Sequence, residues 1–215
     1  MTATSFDTFA EYIRPYLPGV PDVALIHATR ASCIEFCDRS MIWTYNHDNI
    51  TTLANISEYD LDAPCNGIPA RVLVAFFENI PLEPKSEDEL ISLFGDNWRE
   101  RTGDPQYYLQ DNAETLVVAP RPTERTANAI SLIIAVKPTQ SSTEVSSEVY
   151  EQWAEYIGYG ARARLHEVPN QLYSDMAAAN RYHSMFKHGI SLAKIERNRS
   201  LTRARQYLQP NRGAL

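Results

Sequence analysis

The residues that could hold a metal ion are few and poorly spaced for that purpose. Cys33 and Cys37 lie four residues apart on a predicted helix, a spacing that could place two thiolates on one metal. No third and fourth ligand is evident nearby, so two buried, small apolar side chains are the preferred interpretation. His183 and His188 lie about 140° apart around a helix and are not expected to share a metal. We therefore predict no metal and no cofactor.

Motifs of common catalytic sites are also missing from the sequence. It contains no G-x-x-x-x-G-K-[ST] phosphate loop, no G-x-G-x-x-G, no G-x-S-x-G and no H-E-x-x-H. The carboxylates of Glu87, Asp88 and Glu89 stand at a predicted helix start, where the helix dipole accounts for them without catalysis. Among 27 acidic residues, a pair placed for glycoside hydrolysis stays an open alternative. The sequence favours a protein that is not an enzyme.

The strongest chemical signal is the charge of the C-terminal segment. Residues 181–215 hold eight basic residues and one acidic residue, a net charge of +7. Because the whole chain carries −7, residues 1–180 carry −14. Arginine pairs with carboxylates and phosphates. Such an arm is expected to bind an acidic protein surface, a nucleic acid or a membrane surface.

Helical periodicity marks both ends of the chain. Ser5 is a suitable cap for a short helix that Pro15 limits, and a longer helix starts near Pro21. The apolar face predicted for the longer helix consists of Val23, Ile26, Cys33, Ile34, Cys37 and Met41. Residues 143–207 return to helix, with a final helix capped by Ser174. The predicted core stripe of this last helix is Met176, Ala179, Tyr182, Phe186, Ile190 and Ala193.

The apolar stripe of the last helix does not continue beyond Ile195. Arg197, Arg199, Arg203 and Arg205 then point in well-separated directions around the axis. A helix that is basic on all sides is not expected to pack on the core of its own domain, because unpaired buried charges are costly.

The middle of the chain has the short apolar runs of strands. Residues 71–78 (RVLVAFFE), 114–119 (ETLVVA) and 129–136 (AISLIIAV) are predicted strands. One helix interrupts them, with Ser86 and Glu89 as a capping box and Gly95 at its end. The predicted fold class is α+β. Residues 1–45 and 143–195 form a helical bundle, 46–142 a β-rich inserted lobe, and 196–215 a basic C-terminal arm.

Five segments follow one another in an order typical of a known family. They are 31–38 (ASCIEFCD), 103–108 (GDPQYY), 118–122 (VAPRP), 155–165 (EYIGYGARARL) and 176–190 (MAAANRYHSMFKHGI). Together they resemble the head-to-tail adaptor, or connector, proteins of tailed bacteriophages. The resemblance implies a helical core with a β-rich insertion, assembled as a dodecameric ring that matches the portal. It transfers no catalytic residues.

The resemblance also implies partners. The C-terminal segment docks on the portal protein, and the body offers a platform to the next tail or nozzle protein. DNA passes through the lumen without specific binding, and no membrane is involved. The protein is then expected in the virion, at the head–tail interface, after assembly in the host cytoplasm. The predicted portal-binding residues are Arg197, Arg199, Leu201, Arg203, Arg205, Tyr207, Leu208 and Arg212.

Two other classes of function compete with the adaptor. A nucleic-acid-binding protein could use the basic tail from Arg197 to Arg212, but the −14 body and the missing recognition motif argue against it. A hydrolase carried in a virion is favoured only by the surplus of carboxylates. Binding to a short duplex, binding to the portal and an assay on cell-wall material would separate the three.

Overall fold

The computed structural model describes residues 2–65 and 67–199 of the chain. Its α-helices are α1 (Asp22–Ser40), α2 (Glu87–Phe94), α3 (Ser147–His166) and α4 (Met176–Arg199), and 3₁₀ helices span Phe6–Tyr12 and Trp98–Glu100. The strands are β1 (Ala3–Ser5), β2 (Thr44–Asn46), β3 (Ile50–Thr52), β4 (Glu58–Asp60), β5 (Gly67–Phe77), β6 (Ile80–Pro81), β7 (Glu83–Pro84), β8 (Tyr107–Asn112), β9 (Thr115–Ala119), β10 (Thr126–Pro138) and β11 (Glu144–Ser146). The predicted α+β class is confirmed.

The described strands form three sheets. The largest has the order β2-β10-β5-β6, with β3 also paired to β10, and all its pairs are antiparallel. A second sheet has the order β4-β9-β8-β7, in which β7 and β8 run parallel. The third joins β1 to β11, so the start of the chain is tied to the strand that precedes α3.

Strand β10 lies at the centre of the large sheet and contributes to the core. Side chains on a strand alternate between its two faces. Four alternate residues of β10 are at most 3% exposed, as the sequence predicted: Ile130, Leu132, Ile134 and Val136. They belong to one hydrophobic cluster with Phe36 of α1, Trp153 of α3 and Phe186 of α4. The helices and the large sheet therefore share a core.

Glycines allow the helices to approach one another closely. A Cβ on Gly160 of α3 would lie 2.8 Å from the Phe186 ring of α4 and 3.0 Å from Ser32 Cβ of α1. A Cβ on Gly189 of α4 would lie 2.4 Å from the ring of Tyr156 on α3. Helices α1, α3 and α4 are thus in direct contact. The division of the chain into a bundle and an inserted lobe stays a prediction.

Several local predictions from the sequence need correction. The first helical region does not extend to residue 45: α1 ends at Ser40, where Met41 adopts a left-handed φ of 55°, and Thr44 begins β2. Residues 144–146 are a strand rather than helix. The capping box of Ser86 and Glu89 on α2 is confirmed.

The buried face of α1 also differs from the prediction. Val23 is 81% exposed, whereas Leu25, Ala28 and Phe36 are buried. Small and polar residues share that face because α1 packs on both α3 and β10. Thr29 is buried, and its hydroxyl is not left without a hydrogen bond, because it donates to the Leu25 carbonyl at 2.8 Å.

Helix α4 is capped by Asp175 and not by Ser174. Asp175 Oδ1 accepts hydrogen bonds from the backbone N–H groups of Ala177 and Ala178 at 2.9 and 3.0 Å. The bond from Ala178 is the main cause that lowers the pKa of this carboxyl, because it favours the charged form. Ser174 Oγ instead accepts from Gln171 N at 3.0 Å. Met176, the first residue of the predicted stripe, is 61% exposed.

None of the helices described is long and apolar enough to cross a membrane.

Candidate functional site

The candidate site lies at the end of α4, where the basic arm begins. Arg197 and Arg199 occupy the last turn of that helix, about 200° apart around its axis. Arg199 is exposed and Arg197 is half-buried. The other predicted portal-binding residues lie outside the described part of the chain: Leu201, Arg203, Arg205, Tyr207, Leu208 and Arg212.

Arg197 is held against the body of the protein. Its Nη1 lies 3.0 Å from the sulfur of Met41, the residue that follows α1. Its Nε and Nη2 donate to Asn198 Oδ1 at 3.1 and 2.6 Å. The sequence predicted that a helix basic on all sides would not pack on the core of its domain; Arg197, near the start of that stretch, is half-buried against Met41.

Beside Arg197 the body has an open recess of about 470 Å³, called the exit groove below. Its wall comes from five separate parts of the chain: the segment after α1, strand β5, strand β10, the start of α3 and the end of α4. The lining residues are Ile42, Trp43, Thr44, Leu73, Val74, Ile133, Glu148, Val149, Gln152, Trp153, Glu196 and Arg197. The arm thus leaves the body at the rim of a mostly apolar recess.

The polar groups of the exit groove are few. Glu148 and Glu196 are exposed, and neither forms an ion pair within the described residues. Trp43 and Trp153 are buried, and the indole N–H of each has no acceptor in the described part of the chain. The groove offers apolar contact with two carboxylates at its rim, and its lining includes neither a cysteine nor a histidine.

A second charged cluster, near the other end of α4, was missed from the sequence. Arg162 of α3 is only 3% exposed, and its guanidinium carbon lies 4.1, 4.7 and 4.9 Å from the ring centres of Tyr16, Tyr159 and Tyr182. Such cation–π contacts stabilise a buried guanidinium. Arg162 forms no ion pair with any described residue.

The charges of this cluster shift the pKa of the Tyr182 phenol. Burial by itself would raise the pKa of Tyr182, but hydrogen bonds from Arg162 and Arg181 favour the phenolate and lower the pKa overall. Arg181 Nη2 donates to the hydroxyl at 3.3 Å. One signal in the sequence could have indicated that Arg162 is buried. Small residues, which are typical of close helix packing, surround it: Gly158, Gly160, Ala161 and Ala163.

The residues considered as possible metal ligands do not come together in one site. Cys33 and Cys37 are fully buried, and burial, with a further contribution from Cys37, raises the pKa of the Cys33 thiol. Within the described residues, no group of three or more His, Cys, Asp or Glu side chains could hold a metal ion. His183 Nε2 lies 2.7 Å from Glu167 Oε1, and this contact links α4 to the end of α3. His188 is exposed.

The features of the candidate site are thus a mostly apolar groove and, beside it, the start of a basic C-terminal arm. A family model described as SU10 adaptor protein matches residues 4–212. The chain belongs to this family of phage head-to-tail adaptors. None of the curated proteins compared with the chain matches it.

Membership gives the coarse function. The family is a structural one and not an enzyme family. Its members are virion components whose partners are portal and tail proteins in general. The resemblance drawn from the sequence is confirmed at this level.

Proposed function

We propose that the chain forms a dodecameric ring between portal and tail, and that each subunit docks on the portal through its C-terminal arm. One observation carries this proposal. The stripe of Phe186, Ile190 and Ala193 is buried, whereas Arg197 and Arg199 follow it without any carboxylate partner among the described residues. The next component of the tail binds the body, and DNA passes through the lumen without specific contacts.

The chemistry of the arm suits an acidic protein partner. Guanidinium groups pair with carboxylates through two parallel hydrogen bonds, which gives both attraction and orientation. Leu201, Tyr207 and Leu208 would supply the apolar part of the contact. Carboxylates between neighbouring portal subunits would form ion pairs with these arginines. Phosphate contacts by Lys and Arg are what bind DNA, so an acidic lumen surface would leave passing DNA free.

Removal of residues 197–215 tests the docking. We expect the truncated chain to keep its helical content and melting temperature and to lose binding to the purified portal. A matched control replaces exposed arginines of the body, Arg71 and Arg125, by glutamine and should bind normally. Raising salt from about 0.1 M to about 1 M, over which the Debye length falls from about 10 Å to about 3 Å, should weaken binding of the intact chain. Normal binding by the truncated chain contradicts arm docking.

The nucleic-acid alternative depends on the same arm, which ends the segment 181–215 that carries +7. It predicts that the intact chain binds a short DNA duplex more tightly than the portal at about 0.15 M salt. The −14 of residues 1–180 opposes such binding. A competition experiment with both partners present separates the two functions.

A further inference from the structure

The exit groove is an apolar surface that the described part of the chain leaves uncovered. Val74 of β5 and Ile133 of β10 are paired across the large sheet, so their side chains lie on the same face of it. Val74 is 38% exposed, and the recess of about 470 Å³ that both residues line has room for several side chains. An exposed apolar surface with polar groups at its rim is typical of a site that another segment or protein covers.

The chain outside the described residues starts at the rim of this groove. Glu196 and Arg197, in the last turn of α4, are part of the lining, and residues 200–215 follow directly after that turn. These 16 residues are called the terminal segment below, and fully extended they would span about 50 Å. A reversal of the chain takes about four residues. The remainder is long enough to cross a recess that begins beside its point of attachment.

The charges of the terminal segment and of the groove have opposite signs. The segment contains three arginines and no acidic residue, a charge of +3; because the whole chain carries −7, residues 1–199 carry −10. Glu148 and Glu196 stand exposed at the rim without ion pairs in the described residues. Arg197 also lines the groove, so the lining carries −1 in total. The guanidinium of Arg197 already bonds to a neighbouring side chain, which leaves the two carboxylates for an incoming cation.

We propose that the terminal segment of a free subunit folds back into the exit groove of the same chain. Leu201, Tyr207 and Leu208 would cover the apolar walls, and the arginines would pair with the two rim carboxylates. Attachment at the rim favours the chain's own segment over that of a second copy, because a short tether gives an effective concentration of about millimolar. The contact lies within one chain, so it does not require a ring.

The contact has a consequence for docking, and this consequence rests on the proposed function. The side chains that would fill the groove are among those proposed to bind the portal, so one segment cannot do both at once. The portal would have to displace the segment from the groove. Its apparent affinity for a subunit would then fall with the fraction of subunits whose segment is released. A free subunit would in this way keep its binding segment covered until it meets the portal.

Disulfide formation within the full chain tests the contact. In a Cys65→Ser background, Val74→Cys is combined with Leu208→Cys, and the remaining Cys33 and Cys37 are buried. We expect oxidation of the dilute protein to give a monomer with an intrachain disulfide. On a non-reducing gel this monomer migrates faster than the parent chain, and dithiothreitol reverses the change.

Tethering alone would also bring the two cysteines together at times, so the comparison changes the groove and leaves the tether intact. Glu148→Gln combined with Glu196→Gln should slow intrachain disulfide formation about threefold or more, the effect of losing two partly exposed ion pairs. The matched control combines Asp96→Asn with Glu100→Gln, which neutralises two exposed carboxylates that do not line the groove. This control should leave the rate unchanged.

Each outcome decides a separate point. No intrachain disulfide, or a rate that is the same with and without the rim carboxylates, overturns the contact. Disulfide-linked dimers in place of the monomer would assign the groove to the segment of a second copy and overturn it as well. The chain locked by its intrachain disulfide should lose binding to the portal and recover it after reduction. A locked chain that binds the portal normally contradicts docking by the arm and leaves the groove contact standing.

A second measurement needs no added cysteine. Trp43 and Trp153 line the groove, whereas Trp98 packs in a separate cluster with Val117. In the otherwise unchanged chain, Leu208→Asp should shift the NMR resonances of the indole N–H groups of the first two tryptophans and leave that of Trp98 in place. Indole resonances that all stay unchanged would contradict the contact.

Discussion

Replacing Gly189 by alanine tests the contact between α3 and α4. The added Cβ would lie 2.4, 2.5 and 2.6 Å from Cδ1, Cγ and Cβ of Tyr156. Two of these atoms are fixed near the backbone of α3, so rotation of the tyrosine ring cannot relieve the overlap. The two helices must move apart, and the contacts beside them loosen.

The expected magnitude follows from two opposed effects. Overpacking a core position costs about 1–3 kcal/mol, and the short distances place Gly189→Ala near the upper end. Glycine in a helix is less favourable than alanine by about 1 kcal/mol, which the substitution recovers. The free energy of unfolding should therefore fall by about 2 kcal/mol. With a urea dependence of about 2 kcal/mol per M, the midpoint falls by about 1 M.

Urea unfolding followed by tryptophan fluorescence measures the change, because the Trp153 ring lies 5.9 Å from that of Tyr156. The control is Ser191→Ala, an exposed position two residues further along α4, which should change stability by less than about 0.5 kcal/mol. A Gly189→Ala protein as stable as the parent would show that α3 and α4 do not approach as described, and the packing of the helices would have to be revised.

Two further substitutions test the core and the cap of α4. Trp153→Ala should lower the free energy of unfolding by about 3–5 kcal/mol, because the indole is 8% exposed and packs on Phe36; a loss below about 1 kcal/mol in the same urea assay would place Trp153 at the surface. Asp175→Ala should lower the melting temperature, whereas Asp175→Asn, which can still cap, should lower it less. Since the pKa of Asp175 is lowered in the folded state, its charge contributes above the unfolded pKa of about 4 and this contribution is lost as pH falls through the folded value. A difference between parent and Asp175→Ala that grows on acidification would contradict this role.

The sequence predicted those elements whose signal is local. Strand alternation identified the buried side of β10, and the capping box located the start of α2 from Ser86 and Glu89. Both depend on residues a few positions apart, so no knowledge of the rest of the fold is needed.

What the sequence did not predict depends on distant neighbours. The face of α1 was misjudged because Ala28, Thr29 and Ser32 are buried on a helix that packs on both α3 and β10, and no pattern of large apolar residues marks them. Arg162 is buried because Tyr16 and Tyr182, far apart in sequence, enclose it. The cap was assigned to Ser174 because both it and Asp175 favour that position, and the choice depends on how the preceding loop uses the serine. The exit groove is lined by five separate segments of the chain, so no single stretch of sequence indicates it.

Arg197 lines the exit groove beside Met41, and it also begins the arm. Because the body already holds this side chain, part of the entropy cost of ordering it on the portal would be met before the arm docks.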